Sequence, residues 1–200
     1  TIVSNKAADS TQIFFSGVGI ASEISCDSTL SFPSTRIGQS DTISYQVLNN
    51  SNCPLLLDSL KIVGPHSNDF SLAGDFAGQV IAAQDSLELL LAFSPTDDES
   101  RTATFQIFSN DRDANDTPFN VDLNGTGVAV ALISVSPAGS LSFGAVCLDS
   151  TDTRSVVVRN IGSADLIIDS LAFSNDVYSS TVTKQLISVG DSASLAIVFE

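Results

Sequence analysis

The chain has little that catalysis or nucleic-acid binding would need. It contains no Trp and no Met, one His, three Cys, and only 8 Lys+Arg against 23 Asp+Glu. The formal charge of −15 argues against a phosphate-binding surface, because such surfaces need Lys and Arg to neutralise phosphates. No nucleic-acid partner is expected. No stretch reaches the ~18 apolar residues of a spanning helix, so no membrane insertion is expected. Three cysteines are too few for a disulfide framework and none stands in a C-x-x-C pair. The first residue is Thr1, not Met, which is read as a processed or excerpted chain.

Helical periodicity is also missing. The best candidate, 78–91, settles into alternation instead. Leu87, Leu89, Leu91 and Phe93 alternate with Glu88, Leu90 and Ala92. Ala103, Phe105 and Ile107 do the same, as do Phe119, Val121 and Leu123. Period-2 patterning marks antiparallel strands buried on one face. The alternation and the turn-forming clusters between runs predict seven strands, near 28–33, 40–48, 54–63, 68–73, 85–93, 101–109 and 118–126. Seven short strands at this spacing predict an all-β, Ig-like β-sandwich with Greek-key connections.

What the chain does have is a repeat. Leu30-Ser31-Phe32 recurs as Leu141-Ser142-Phe143 (141 − 30 = 111), and Asp58-Ser59-Leu60 recurs as Asp169-Ser170-Leu171 (169 − 58 = 111). Asp85-Ser86 and Phe93 recur as Asp191-Ser192 and Phe199 (199 − 93 = 106). Ile2, Ser4 and Asn5 recur as Ile107, Ser109 and Asn110 (107 − 2 = 105). Nearly constant spacing means tandem copies of one module with small loop changes. The expected division is 1–20 as the last two strands of a preceding module, 21–128 as a complete module, and 129–200 as a module lacking its last two strands. Either the chain is an excerpt, the expected reading, or the N-terminal strand pair completes a neighbouring copy head to tail. Asn124-Gly125-Thr126-Gly127 and Ser16-Gly17-Val18-Gly19 are read as positive-φ bends at module exits, with Gly125–Val128 as the joint.

The order of motifs carries a family resemblance. Val47-Leu48-Asn49-Asn50-Ser51 precedes Pro54-Leu55-Leu56-Leu57. Phe70 follows, then Leu89, Leu91 and Phe93-Ser94-Pro95, then Ile107-Phe108-Ser109-Asn110-Asp111 and Val121 to Gly127. The next copy repeats it as Val158-Arg159-Asn160-Ile161-Gly162, Leu166-Ile167-Ile168 and Leu195 to Phe199. This resembles the Ig-like modules of the abnormal-spindle/Hydin (ASH) type, the related bacterial choice-of-anchor D repeats, and the wider major-sperm-protein-like group. The resemblance implies tandem non-catalytic sandwiches. Pro33 stands where a Gly is usual after Leu-x-Phe, and the segment 64–84 is longer than its counterpart. Eukaryotic members are ciliary and centrosomal scaffolds, and bacterial ones sit in long secreted or surface proteins. The acidic, Ser- and Asn-rich, Lys-poor composition favours the bacterial, extracellular or cell-surface type.

Candidate sites are few. No catalytic residue is expected, because nothing in the sequence supplies His66 with a nucleophile and an orienting acid; it reads as a turn residue. No cofactor is expected apart from a candidate calcium loop at Asp111, Asp113, Asn115 and Asp116, whose oxygens alternate as calcium ligands do. A solvated hairpin loop is the simpler reading there, as it is for the acidic turn Asp97-Asp98-Glu99. A Cys26–Cys53 disulfide is a second candidate, with two buried thiols as the simpler alternative. Glycosylation triplets occur at Asn49, Asn115 and Asn124, and Phe14, Leu48 and Phe108 sit on outward strand phases as contact candidates. The expected partners are neighbouring modules of the same polypeptide or other copies of it, up to a homopolymer. The expected role is a structural stalk, sheath, filament or adhesin shaft. A ciliary or centrosomal scaffold and a non-catalytic appendage of a secreted enzyme are the alternatives.

Overall fold

A computed structural model describes residues 2–3, 10–11, 13–113 and 118–200. Its strands are β1 (Ile2–Val3), β2 (Ser10–Thr11), β3 (Ile24–Ser25), β4 (Thr29–Arg36), β5 (Asp41–Asn49), β6 (Leu55–Val63), β7 (Phe70–Ala73), β8 (Val80–Ile81) and β9 (Ser86–Phe93). They continue as β10 (Glu99–Ser109), β11 (Phe119–Val128), β12 (Ile133–Ser136), β13 (Asp152–Asn160), β14 (Leu166–Ile168), β15 (Tyr178–Ser179), β16 (Gln185–Ile187) and β17 (Ser192–Phe199). A single 3-10 turn, Ser67–Asp69, is the helical exception among the described residues. The segment 78–91, the best helical candidate, holds strand β8 and most of β9.

The first sandwich pairs a sheet ordered β4-β11-β10-β6-β8 with one ordered β3-β5-β9-β7. Alternation decides which face each residue takes. In β9, Leu89, Leu91 and Phe93 are fully buried while Glu88 and Leu90 face out. In β10 and β11, Phe105, Ile107, Val121 and Leu123 close the core from the other sheet. Strand β4 runs parallel to β11 along the sheet edge, where Pro33 costs no ladder bond in the sheet interior. All seven expected strands are present, extended or trimmed by a few residues. The short edge strands β3 and β8 were not expected, since two-residue strands carry no periodic signal.

The second sandwich repeats this plan for the counterparts of β3 and of β5 to β9. Its larger sheet is ordered β12-β13-β17-β15, and β14 pairs with β16 opposite. Leu166↔Ile187 in β14–β16 occupies the place of Leu55↔Ile81 in β6–β8, and Tyr178↔Phe199 the place of Phe70↔Phe93. An aromatic trio recurs as well. Phe32, Phe70 and Phe93 stack with centroids 4.9 to 5.7 Å apart, and Phe143, Tyr178 and Phe199 with centroids 5.3 to 5.8 Å apart. Val158, Ile168, Ile187, Ala193 and Leu195 form its core. Residues 140–147, which match β4 in sequence, belong to no sheet.

Candidate functional site

The chemistry-bearing side chains of both sandwiches converge on strand ends and the loops that join them. Asn49 ends β5 and is 1% exposed. Its amide donates to the carbonyls of Cys53 (2.7 Å), Ile81 (3.1 Å) and Ala82 (3.0 Å). Its Oδ1 accepts from the Ser51 amide (3.1 Å) and hydroxyl (2.8 Å). One side chain thus satisfies the loops after β5 and after β8, which buried backbone groups require. Asn160 at the end of β13 is 0% exposed and does the same: it donates to Ala164 (2.8 Å) and Ile187 (3.0 Å) and accepts from the Gly162 amide (3.0 Å). Sequence reasoning missed this role, although the signal was present: Asn49 and Asn160 are separated by the repeat shift (160 − 49 = 111). Burial also removes Asn49 as a glycosylation acceptor, since its amide is fully used.

A second clamp gathers the strand ends around 109–111. Asn110 Oδ1 accepts from the Leu56 amide (2.8 Å) and the Ser22 hydroxyl (3.0 Å), and its amide donates to the Pro54 carbonyl (3.3 Å). Asp111 is buried; its Oδ2 accepts from the Ile24 amide (2.8 Å) and its Oδ1 from the Asp113 amide (2.9 Å). Those bonds tie the entering chain to the end of β10 and make Asp111 a brace for the loop. Asp113 is exposed; Asn115 and Asp116 lie outside the described residues. Among the described residues no three His, Cys, Asp or Glu side chains gather as a metal site.

The remaining candidates take structural places. Cys26 and Cys53 are not joined: Cys53 Sγ lies 3.6 Å from the Ile20 carbonyl, whereas Cys26 meets the buried Tyr45 hydroxyl. Burial, reinforced by that Cys26 bond and the nearby Asp27, pushes the Tyr45 hydroxyl pKa far above its ordinary value. His66 is half-buried and its Nδ1 accepts the Thr102 amide at 3.0 Å, which pins the 3-10 turn to β10. Asp69, 3% exposed, takes the Thr96 amide and hydroxyl on Oδ1 and faces Arg101 Nε at 3.0 Å through Oδ2. That ion pair sits off the line of the N–H bond, and Arg101 Nε has no aligned acceptor. Asp97, in the acidic turn, stands 3.9 Å from the same guanidinium. Leu48 is exposed, as its strand phase implied; Phe14 is exposed but lies in no strand, and Phe108 is half-buried under the Lys61 ammonium.

The joint itself differs from the expectation. Gly125 and Gly127 are not bends: both lie inside β11, and neither has a positive φ. A Cβ on Gly125 would come within 2.6 Å of the Phe93 ring, and one on Gly127 within 2.0 Å of the Asp97 carbonyl oxygen. Close approach across the core demands glycine here, not backbone curvature. The Val128 carbonyl accepts the Ile37 amide (3.1 Å) within the first sandwich. Val130 is already held by the second: its amide donates to Ser163 Oγ (3.0 Å), and its carbonyl accepts the Ser163 amide (2.7 Å). Ala129 alone separates those ties. A shallow hollow between Arg36–Gln39, Val130, Leu132 and Ile161–Ser163 marks the seam.

The class this geometry defines is an all-β chain of Ig-like β-sandwiches. No protein-family model matches the chain, and no curated protein matches it by sequence. Among solved structures it is similar to an ASH/PapD-like domain of human CEP192, at 11% identity and a TM-score of 0.39, over 54% of this chain and 85% of that one. It is also similar to the Pseudomonas aeruginosa CupB2 chaperone, at 14% identity and a TM-score of 0.37, over 86% of this chain and 88% of that one. A third likeness is the secreted serine protease VesC from Vibrio cholerae, at 14% identity and a TM-score of 0.42, over 88% of this chain but 46% of that one. Likenesses this distant assign no role to the chain.

Proposed function

We propose that this chain is a non-catalytic structural segment of a secreted or cell-surface bacterial protein, built of ASH-type modules and acting as part of a stalk, sheath or shaft. The observation that carries the reading is the one-residue joint. Backbone ties on either side of Ala129 leave little freedom for one sandwich to swing against the next, so successive modules project at a set angle. Buried polar side chains support the same reading by their use: Asn49, Asn160, Asn110, Asp111 and Asp69 each brace backbone. The acidic, Lys-poor surface favours an extracellular setting and resists lateral clumping by self-repulsion.

Small-angle X-ray scattering of the dilute chain tests the proposal. A stiff segment gives one elongated particle whose distance distribution keeps its shape at high salt. Inserting Gly-Ser-Gly-Ser after Ala129 is expected to broaden that distribution. A wild-type chain as broad as the insertion variant would overturn the rigid-segment role.

A further inference from the structure

The larger sheet of the first sandwich turns a polar face to solvent. In β10 the residues pointing away from the core are Thr102, Thr104 and Gln106; in β11 they are Asn120, Asp122 and Asn124. Register sets them in rows across the sheet, Thr102↔Asn124, Thr104↔Asp122 and Gln106↔Asn120. The rows lie about 7 Å apart along the strands, and the strands about 5 Å apart. β4 extends them through Asn124↔Ser31 and Asp122↔Thr29, and β6 through Thr104↔Val63. The Gln106 amide donates to Asn120 Oδ1 at 3.0 Å. The side chains of Thr102, Thr104, Asp122 and Asn124 have no hydrogen-bond partner among the described residues.

Those four side chains surround a hollow of about 290 Å³ that is walled on one side by Pro65. The wall is held in place. Gly64 passes so close to β10 that a Cβ on it would lie 3.3 Å from Ala103 Cα. The His66 amide donates to the Thr102 carbonyl (3.3 Å), and His66 Nδ1 accepts the Thr102 amide (3.0 Å). The wall is also an addition to the module. Leu60 and Phe70 stand ten residues apart (70 − 60 = 10), whereas their counterparts Leu171 and Tyr178 stand seven apart (178 − 171 = 7). The longer turn that carries Pro65 therefore belongs to the first sandwich and not to the second. Binding concentrates on such loops, which decorate a scaffold without building its core.

We propose that this hollow binds an uncharged sugar unit of a polysaccharide. Charge selects the occupant. The chain carries −15, and no Lys or Arg lines the hollow, so an anionic ligand is repelled. Asp122 is the one carboxylate there, too few for a divalent cation that takes several oxygen ligands. Two hydroxyls and an amide both give and accept hydrogen bonds, and a carboxylate accepts one from each of two neighbouring hydroxyls. A ligand that presents adjacent hydroxyls without charge satisfies all four side chains. The Pro65 ring and Val63, 39% exposed beside Thr104, offer apolar surface to the C–H face of a sugar ring. The row Gln106↔Asn120 continues the polar surface past the hollow, which favours a chain of sugars over a single one. With no Trp in the chain to stack on the ring, the affinity is about millimolar. This activity goes beyond the structural role and does not depend on it.

Nuclear magnetic resonance titration of the isotope-labelled full chain tests it. The probes are neutral oligosaccharides of glucose, galactose, mannose and N-acetylglucosamine, each up to about 10 mM, with acidic polygalacturonate as the contrast. The expected result is saturable shifts at the Thr102, Thr104, Asp122 and Asn124 amides with at least one neutral probe and none with polygalacturonate. Asp122→Ala removes the acceptor for paired hydroxyls and should weaken binding about tenfold or more. Pro65→Gly removes the wall and should weaken it too. Both positions are exposed, so the fold is kept, and unshifted amides elsewhere verify it. Glu88→Gln alters a carboxylate on the outward face of the other sheet and should change nothing. The proposal is overturned by the absence of saturable shifts at those four amides with every neutral probe, or by tighter binding of polygalacturonate. An equal loss in Glu88→Gln overturns it as well. Scattering by the joint shares no readout with this titration, so the two readings fail independently.

Discussion

The two sandwiches carry the same polar clamp but not the same core. Asn49 and Asn160 are equally buried and bond the same loops, whereas Phe93 is fully buried and its counterpart Phe199 only half so. The clamp depends on strands that both sandwiches possess: β5, β6, β8 and β9 in the first, β13, β14, β16 and β17 in the second. Core depth in the first sandwich depends on the hairpin β10–β11, which packs Phe105, Ile107, Val121 and Leu123 into it. Local polar geometry is therefore complete without that hairpin, while apolar burial needs the whole two-sheet stack.

Substitutions can break that comparison, and the largest effect is expected at the clamp. Asn49→Asp turns a donor to three carbonyls into a buried acceptor. The first sandwich should lose about 4 kcal/mol or more, and Asn160→Asp about 3 kcal/mol in the second, because fewer carbonyls are stranded. Denaturant titration followed by near-ultraviolet signals from each sandwich measures both. A loss below about 1 kcal/mol at either position would show that the clamp is incidental.

The core contrast comes next. Phe93→Ala is expected to cost about 3–5 kcal/mol through cavity formation. Phe199→Ala should cost about 1–2 kcal/mol, since less of its ring leaves water. Equal losses would mean that Phe199 is packed as tightly as Phe93. Gly125→Val sharpens the same contrast: forcing a side chain into the Phe93 ring should cost about 2–3 kcal/mol. Gly17→Val, with open space around it, should leave monomer stability unchanged within about 0.5 kcal/mol. Thermal unfolding of the two variants side by side is the check.

The smallest effect is titrational. Tyr45 lies where the second sandwich has Val156 (156 − 45 = 111). Its folded-state pKa is raised, so the unfolded chain loses that proton first as pH climbs. The stability it contributes is present below about pH 10 and declines above it. Tyr45→Phe should flatten that decline in the first sandwich, at a cost of ~1 kcal/mol at neutral pH from the lost hydroxyl bond. Stability curves of wild type and variant that run parallel between about pH 8 and 11 would remove Tyr45 as the cause.

Much of this architecture was legible in the residues. Strands such as β9 and β10 declare themselves because alternating Leu, Phe and Ile must share one face, and no helix can reconcile that pattern. The repeat was legible too, since Phe32/Phe143 and Asn49/Asn160 keep one spacing. The bracing role of Asp111 was not legible, because the Ile24 amide is brought to its carboxylate from 87 residues away. The glycines of β11 misled for a similar reason. Glycine permits both a bend and a close approach, and only the Phe93 ring beside Gly125 distinguishes them.

The order of apolar and polar residues by itself determined the all-strand class, the sandwich repeat and the face that each side chain takes, because strand pleating is a local, two-residue rule. Only tertiary structure decided which polar groups are buried and where one module ends. Those outcomes depend on contacts between residues far apart in the chain, and no local pattern encodes a distance across a sheet.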